Sequence, residues 1–328
     1  MVHSTSAVFC KKDVISLYYD LLNFGLKVKE VRKSLLLSQN DVSEKTGISA
    51  DTLYRIENGH FYPKHANLEL LSCALRLDLN KLFLEFRVER YGYLQEIEQN
   101  ISKKCELADY SGLIIESDSL KELLSSSTMT HYYNTRCKQL LFLIESIILK
   151  SLHKNVNLAL NKLTNALKLS NQNFKLAKYK MYRYNNLELY LLMSTALLLR
   201  HTDSTEKSYD VLKFCYNYFE NNAFSSDFFL YEKLCYNLSY ACHRLKLYDE
   251  ALVYSSIGVD YCNKQRLYNM IGLLYARKGI AEHLLNSHSS TDSLRRAKHF
   301  LKLTNHDKNL HKLIVACKKH YNIDLLNI

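Results

Sequence analysis

The side chains of this 328-residue chain best suited to chemistry fall into two constellations, and both are suited to binding rather than catalysis. The first holds Gln39, then Ser49, Ala50, Asp51, Thr52, Tyr54, Arg55 and Asn58. An arginine reads guanine through a bidentate pair, an alanine methyl can touch thymine, and an aspartate can accept from cytosine. Glutamine, asparagine and backbone amides at helix ends hold phosphate and set the register. Asp51 suits the positive end of a helix equally well, and Tyr54 and Arg55 also suit a solvated surface. The second constellation is Lys233, Asn237, Tyr240 and Arg244, spaced by three and four residues and hence on one helix face. An asparagine amide offers both donors and an acceptor, enough to hold the backbone of an extended peptide whatever its side chains. Asn185 and Asn269 each follow a tyrosine, as Asn237 does, and extend this candidate peptide-binding set. A Tyr-Asn pair serves equally as repeat packing with a solvent-facing amide.

Enzyme chemistry finds no foothold. The thirteen histidines include no H-E-x-x-H pair, no serine sits in a nucleophile elbow, and no Gly-rich loop could cradle a phosphate. The nine cysteines are scattered and contain no C-x-x-C pair, which points to free thiols in a reducing cytoplasm and to neither a metal site nor a cofactor. The expectation is therefore a non-enzymatic protein.

The elements that must position these residues are helices. One proline and eight glycines leave too little turn chemistry for a sandwich or barrel, so the expected fold class is all-α. Val28, Val31 and Leu35 recur at helical spacing after Gly25. Ser38 with Asp41 three residues on resembles a capping box and opens a second helix, which stops at Gly47. Ser49 caps a third, with Leu53 and Ile56 inward and Gly59 at its end, shortly before Pro63. Two short helices joined by a glycine-containing turn form a helix-turn-helix unit over Ser38 to Asn58.

At these residues the chain resembles the Cro/phage-repressor-like helix-turn-helix family: Gly25-x-x-Val28-x-x-x-Arg32, Ser38-Gln39-x-x-Val42-Ser43, Thr46-Gly47-Ile48-Ser49, Ile56-Glu57-Asn58-Gly59 and Pro63. The resemblance covers about sixty residues and implies a five-helix domain in which Arg32 and Glu57 form an internal ion pair. It also implies that Gln39 and the backbone near Asn58 meet phosphate, and that the start of the third helix, Ser49 to Arg55, meets bases.

Beyond Leu79 helical periodicity continues almost to the end, divided by polar breaks near 107–113, 125–130, 152–155, 170–173, 201–205, 221–226, 246–249, 264–266, 286–291 and 305–307. Tyr-Asn recurs at Tyr133, Tyr184, Tyr236 and Tyr268, near the middle of what would be the first helix of each pair, and Ala159, Ala251 and Ala297 recur in second helices. Tyr236-Asn237-Leu238-x-Tyr240-Ala241 followed by Leu247-Tyr248-x-Glu250-Ala251-Leu252 resembles a tetratricopeptide repeat. The expected organisation is an N-terminal extension over 1–24 with a possible helix from Asp13 to Asn23, a DNA-binding domain over 25–85, and a helical linker over 86–127. A tetratricopeptide-like domain for peptide binding and dimerisation fills 128–328.

A Cro-like module followed by such a solenoid is similar to the peptide-pheromone-responsive regulators of Gram-positive bacteria and their phages, the Rgg, PlcR, PrgX and arbitrium-receptor group. That resemblance implies a cytoplasmic homodimer that binds a double-stranded DNA operator and a short signalling peptide. Two other outcomes fit the same elements: a DNA-binding regulator whose repeats bind a protein or only dimerise, and a repeat interaction protein that does not bind DNA.

The formal net charge of +11 does not by itself locate the DNA surface. Residues 1–90 carry 13 basic and 11 acidic side chains, while 134–183 carry ten basic residues against Glu145 alone. The surplus belongs to the solenoid. The longest apolar stretch, Leu187 to Leu199, is interrupted by Glu188, Ser194 and Thr195, and the N-terminal lysines follow rather than precede the first apolar residues. Neither a membrane span nor a secretory signal is expected.

Overall fold

The computed structural model describes residues 19–87, 91–125, 129–202, 205–222 and 230–327, and in them the fold is all-α. By contact the chain divides into two compact units, the first running to Glu96 and taking in Leu123–His131, the second holding Ile97–Glu122 and everything from Tyr132 onward. The N-terminal segment through residue 18, with most of the helix expected from Asp13 to Asn23, lies outside the described residues.

Five helices build the core of the first unit: α1 (Leu21–Ser34), α2 (Gln39–Thr46), α3 (Ala50–Glu57), α4 (His65–Leu75) and α5 (Leu79–Glu85). Their local signals are those in the sequence. Asp41 N–H donates to Ser38 Oγ at 3.1 Å while Ser38 N–H donates to Asp41 Oδ2 at 2.7 Å, closing the capping box, and Gly47 ends α2 at φ 71° in the left-handed region. Ser49 Oγ then accepts from Thr52 N–H at 3.2 Å to start α3. Phe24, Val28, Val42, Leu53, Ile56, Leu71, Leu75, Leu79 and Phe83 make one apolar cluster. The first helix begins at Leu21 rather than after Gly25, because Asp20 already caps it by accepting from Asn23 N–H. Gly25 lies inside it where α1 meets α3, and a Cβ there would stand 2.7 Å from the Glu57 carbonyl oxygen.

The second unit takes the C-terminal part of α6 (Tyr91–Glu106) and most of α7 (Leu113–Ser125), then stacks helices in pairs. The pairs are α8 (His131–Ser151) with α9 (Val156–Lys168), α10 (Asn186–Thr202) with α11 (Thr205–Glu220), α12 (Tyr231–Arg244) with α13 (Tyr248–Gln265), and α14 (Ile271–Leu284) with α15 (Ser290–Leu303). A last helix, α16 (Asp307–Tyr321), closes the stack. Each helix from α9 onward packs on the next, and α12 also packs on α14 and α14 on α16, the arrangement of a helical-repeat solenoid. Ala159, Ala251 and Ala297 are fully buried, as close helix approach requires.

Two features depart from the sequence reading. The first helices shorten along the stack, from 21 residues in α8 to 17 in α10 and 14 in α12 and α14, so no constant repeat length exists. The connection before α10 is also long, holding only a 3-10 helix over Leu176–Met181 where helix was expected from residue 174. Side chains hold it in place of a helical ladder: Phe174 is buried, Tyr182 hydroxyl donates to the Asn173 carbonyl at 2.8 Å and Tyr184 hydroxyl to the Tyr179 carbonyl at 2.6 Å. Its basic residues Lys175, Lys178, Lys180 and Arg183 interrupt any continuous apolar stripe.

Candidate nucleic-acid interface and ligand groove

In the first unit the expected ion pair is present. Arg32 Nε donates to Glu57 Oε1 at 2.6 Å and Arg32 Nη2 to Glu57 Oε2 at 2.9 Å, with Glu57 fully buried and Arg32 buried. Arg32 Nη1 reaches the Leu37 carbonyl at 2.7 Å, and Gln39 Nε2 donates to Glu57 Oε2 at 2.8 Å. One buried carboxylate thus ties α1, the turn before α2, the first residue of α2 and the end of α3 into a single frame. Gln39 is half-buried and fixed by that frame, which sets its remaining amide hydrogen and its backbone amide at the start of α2.

On α3 the inward residues are Leu53, Ile56 and Glu57; the opposite face carries Ala50, Asp51, Tyr54 and Arg55. Asp51 and Tyr54 are exposed, and Ala50, Thr52 and Arg55 half-buried. Ser49 and Thr52 share a hydroxyl hydrogen bond of 2.8 Å, so the Ser49 side chain is occupied with capping. Asn58 Nδ2 donates to the Tyr54 carbonyl at 2.7 Å and finishes the helix. The Arg55 guanidinium lies 5.5 Å from the Phe61 ring centroid, a contact absent from the sequence pattern that orients its fork. The structure therefore brings all eight candidate DNA-contact residues onto α2, α3 and their caps.

The candidate peptide residues are brought together only in part. Lys233 and Asn237, on α12, line a cavity of about 300 Å3 with side chains from α6, α8, α10, α14 and α16, and Tyr240 and Arg244 line its neighbour. Asn237 Nδ2 turns back onto the Lys233 carbonyl at 2.8 Å. Lys233 is buried, donating to Ser102 Oγ at 2.9 Å and lying 3.4 Å from Glu106 Oε1. The Lys233 ammonium also sits 5.6 Å from the Tyr190 ring centroid.

Asn185 and Asn269 are not in mid-helix, contrary to the expectation from the Tyr-Asn recurrence. Asn185 caps α10 through Glu188 and lines neither cavity, and Asn269 stands in the turn before α14. Tyr133, likewise, is in the first turn of α8. The shared Tyr-Asn pair thus falls at different helical registers and does not form a ladder. Asn269 nonetheless reaches the groove's edge, where its amide donates to Glu106 Oε2 at 3.0 Å.

Sequence reasoning missed most of the groove's charge. Lys150, Arg200, Arg277 and Lys312 line the two cavities, and Glu106 is the one carboxylate among their described lining residues. Burial and the nearby Arg200, Lys154 and Lys312 hold the Lys150 ammonium below its ordinary range. The only available signal was the basic excess of the solenoid, which gives no positions.

Among the described residues no group of three histidine, cysteine, aspartate or glutamate side chains converges on a metal site, and no helix is long and apolar enough to cross a membrane. The described cysteines are all free thiols, six of them buried.

The first unit and the paired helices define a helix-turn-helix domain joined to a helical-repeat domain. Residues 28–82 match the family model described as Helix-turn-helix. Among solved structures, Bacillus thuringiensis PlcR in complex with the peptide PapR7 and DNA superposes with a TM-score of 0.67 at 16% identity, over 89% of this chain and 98% of that one. PlcR in its apo form gives 0.57 at 15% identity over 89% and 98%, and the Streptococcus dysgalactiae SHP pheromone receptor Rgg2 gives 0.52 at 16% over 91% and 98%. The chain therefore shares the all-α fold of these peptide-responsive regulators along nearly its whole length. No curated protein matches it in sequence.

Proposed function

We propose that this protein is a sequence-specific DNA-binding transcriptional regulator whose helical-repeat domain binds a short signalling peptide. The observation that carries the reading is the pairing, in one chain, of an intact helix-turn-helix whose outward α3 face is polar with a solenoid groove lined by tyrosine, asparagine and basic side chains. PlcR, whose fold the chain shares, is a protein solved with both a peptide and DNA. In this reading Gln39, Ser49 and Asn58 position the module on phosphate, and Ala50, Asp51, Thr52, Tyr54 and Arg55 face the bases. Lys233, Asn237, Tyr240, Arg244 and Asn269 line or border the peptide's path.

The active species is a cytoplasmic homodimer. Two recognition helices about 34 Å apart suit half-sites one helical turn apart. A peptide that changes the solenoid's packing or its dimer contacts shifts that separation, and with it operator affinity, without touching a base-reading residue. Genome-wide binding with the native protein, followed by fluorescence anisotropy on the enriched site with and without peptide, tests the reading. An enriched inverted repeat whose affinity responds to a peptide supports it; absence of any enriched site refutes DNA binding.

A further inference from the structure

The groove continues from α10 toward α16 into a second cavity of about 480 Å3, which shares Tyr236, Leu273, Asn309 and Lys312 with the first. Its described lining contains no aspartate or glutamate, although Arg277, Arg244 and Lys312 all open onto it. Arg277 is the centre of this end. Its guanidinium lies 5.4 Å from the Tyr236 ring centroid and 4.7 Å from that of Tyr240, and Arg200 lies 5.2 Å from the same Tyr240 ring. Aromatic faces offset part of a cation's desolvation, but they give its N–H groups no lone pair in the guanidinium plane. Arg277 Nε is buried and has no hydrogen-bond partner.

A complementary group stands next to it. His243 Nε2 is 3.1 Å from the Arg277 carbonyl; a carbonyl only accepts, so Nε2 carries the hydrogen and Nδ1 presents a lone pair. That Nδ1 is also buried without a partner. Burial and the Arg277 charge push the His243 imidazole down to about 4, so it is neutral at physiological pH and Nδ1 remains an acceptor. One cavity thus offers an unused cationic donor and an unused acceptor. At the other end of the groove the protein's own Glu106 carboxylate is already held by Lys233 and Asn269, which shows the chemistry these walls accept.

We propose that the α12–α14–α16 end of the groove is a carboxylate-binding subsite, in which Arg277, supported by Lys312, takes a carboxylate of the peptide while His243 Nδ1 accepts an adjacent peptide N–H. The proposal rests on the peptide-binding reading and narrows its ligand to one bearing a carboxylate, supplied by either the peptide's C-terminus or an aspartate or glutamate side chain. Neighbouring charge and low exposure make such a pair strong, and a guanidinium matches a carboxylate in two parallel bonds.

The test is affinity selection by the full-length protein from a random heptapeptide library made in two forms, with free and with amidated C-termini. Selection of free-acid peptides over their amides assigns the terminal carboxylate; selection of amides with aspartate or glutamate at one fixed position assigns a side chain. In either case Arg277→Gln is expected to weaken the best-retained peptide at least tenfold, Arg277→Lys less, and Lys312→Gln severalfold. Lys312 is exposed, so its variant keeps the test decisive should Arg277→Gln fail to fold. Equal retention of uncharged amidated peptides, or unchanged affinity in Arg277→Gln or in Lys312→Gln, overturns the subsite and leaves peptide binding standing. Retention of no peptide from either library overturns both.

Discussion

Arg32 and Glu57, on the first and third helices, meet through two hydrogen bonds of 2.6 and 2.9 Å with the carboxylate fully buried. Such a pair contributes little net stability over an apolar pair of the same volume, but losing one partner strands a charge. Arg32→Met is therefore expected to destabilise the helix-turn-helix unit by about 3–5 kcal/mol. The double variant Arg32→Met with Glu57→Leu should recover most of that loss. Hydrogen exchange of α1–α3 amides in the full-length protein measures both, and a single variant as stable as the double one contradicts the account.

Gly25 gives a second, purely steric test of the same contact. A methyl group there meets the backbone of Ile56 and Glu57, which cannot swing aside as a flexible side chain would. Ala is otherwise favoured over Gly inside a helix by roughly 1 kcal/mol. Gly25→Ala should nevertheless lower the unfolding midpoint of the first unit, and a rise in urea denaturation would show that the α1–α3 packing is looser than described.

The outward face of α3 is expected to be energetically silent for folding and costly for DNA. Tyr54 is 52% exposed, and Arg55 touches Phe61 only through its cation. Tyr54→Ala and Arg55→Ala should leave helix content intact. Arg55→Ala should weaken binding to the operator by about 1–3 kcal/mol and relax selectivity at one base position. Anisotropy titrations against the operator and single-base variants of it distinguish this from a phosphate contact, whose loss weakens all sequences alike and lowers the salt slope.

Lys233 belongs to the helix face selected for peptide contact, yet it spans to Ser102 and Glu106 with only 10% of its side chain exposed. Lys233→Met leaves Glu106 without its cation, while the Asn269 amide remains on that carboxylate. The variant is expected to destabilise the second unit by several kcal/mol. Restoring stability with Glu106→Gln in the same chain would assign Lys233 to the frame of the groove. A thermal melt unchanged from the parent's would assign it to the ligand.

What could be read beforehand followed from how local each determinant is. Ser38, Asp41, Gly47 and Ser49 act within four residues of themselves, so the helix-turn-helix was legible to within a residue or two at each cap. Gly25 and the Arg32–Glu57 pair were accessible through resemblance, because their partners lie on the same short motif. The groove was not legible in that way. Asn269 meets Glu106 across 163 positions and Lys233 meets Ser102 across 131, and no periodicity encodes such pairings. Arg277 was hidden for the same reason: its tyrosine partners sit on α12, and its own helix has an apolar pattern that draws attention to Leu274 and Ile280 instead. The Tyr-Asn recurrence misled because identical dipeptides occur at a helix cap, in a first turn, in mid-helix and in a connecting turn, where the same two side chains serve different ends.

Two buried groups of α12 make stability depend on pH in opposite senses. Burial and Arg277 depress His243 from its ordinary value near 6.5 to about 4, so its contribution is complete above 6.5 and lost as pH falls toward 4. Burial with the nearby Glu106 raises Glu232 from 4.5 to about 7, outweighing Lys233, so its contribution is present below 4.5 and lost as pH rises toward 7. Glu232 Oε2 has no hydrogen-bond partner, consistent with a carboxyl that gains by holding its proton. Between pH 4.5 and 6.5 the two slopes oppose, and on this account the parent's stability changes less than either group alone would impose. Each group on its own is worth about 3 kcal/mol across its window. His243→Gln should therefore unmask a gain in stability on acidification from pH 7 to 5, and Glu232→Gln a loss. Urea titrations at half-unit pH steps on the parent and both variants check the signs; two variants with parallel profiles would show that these groups do not titrate as their surroundings dictate.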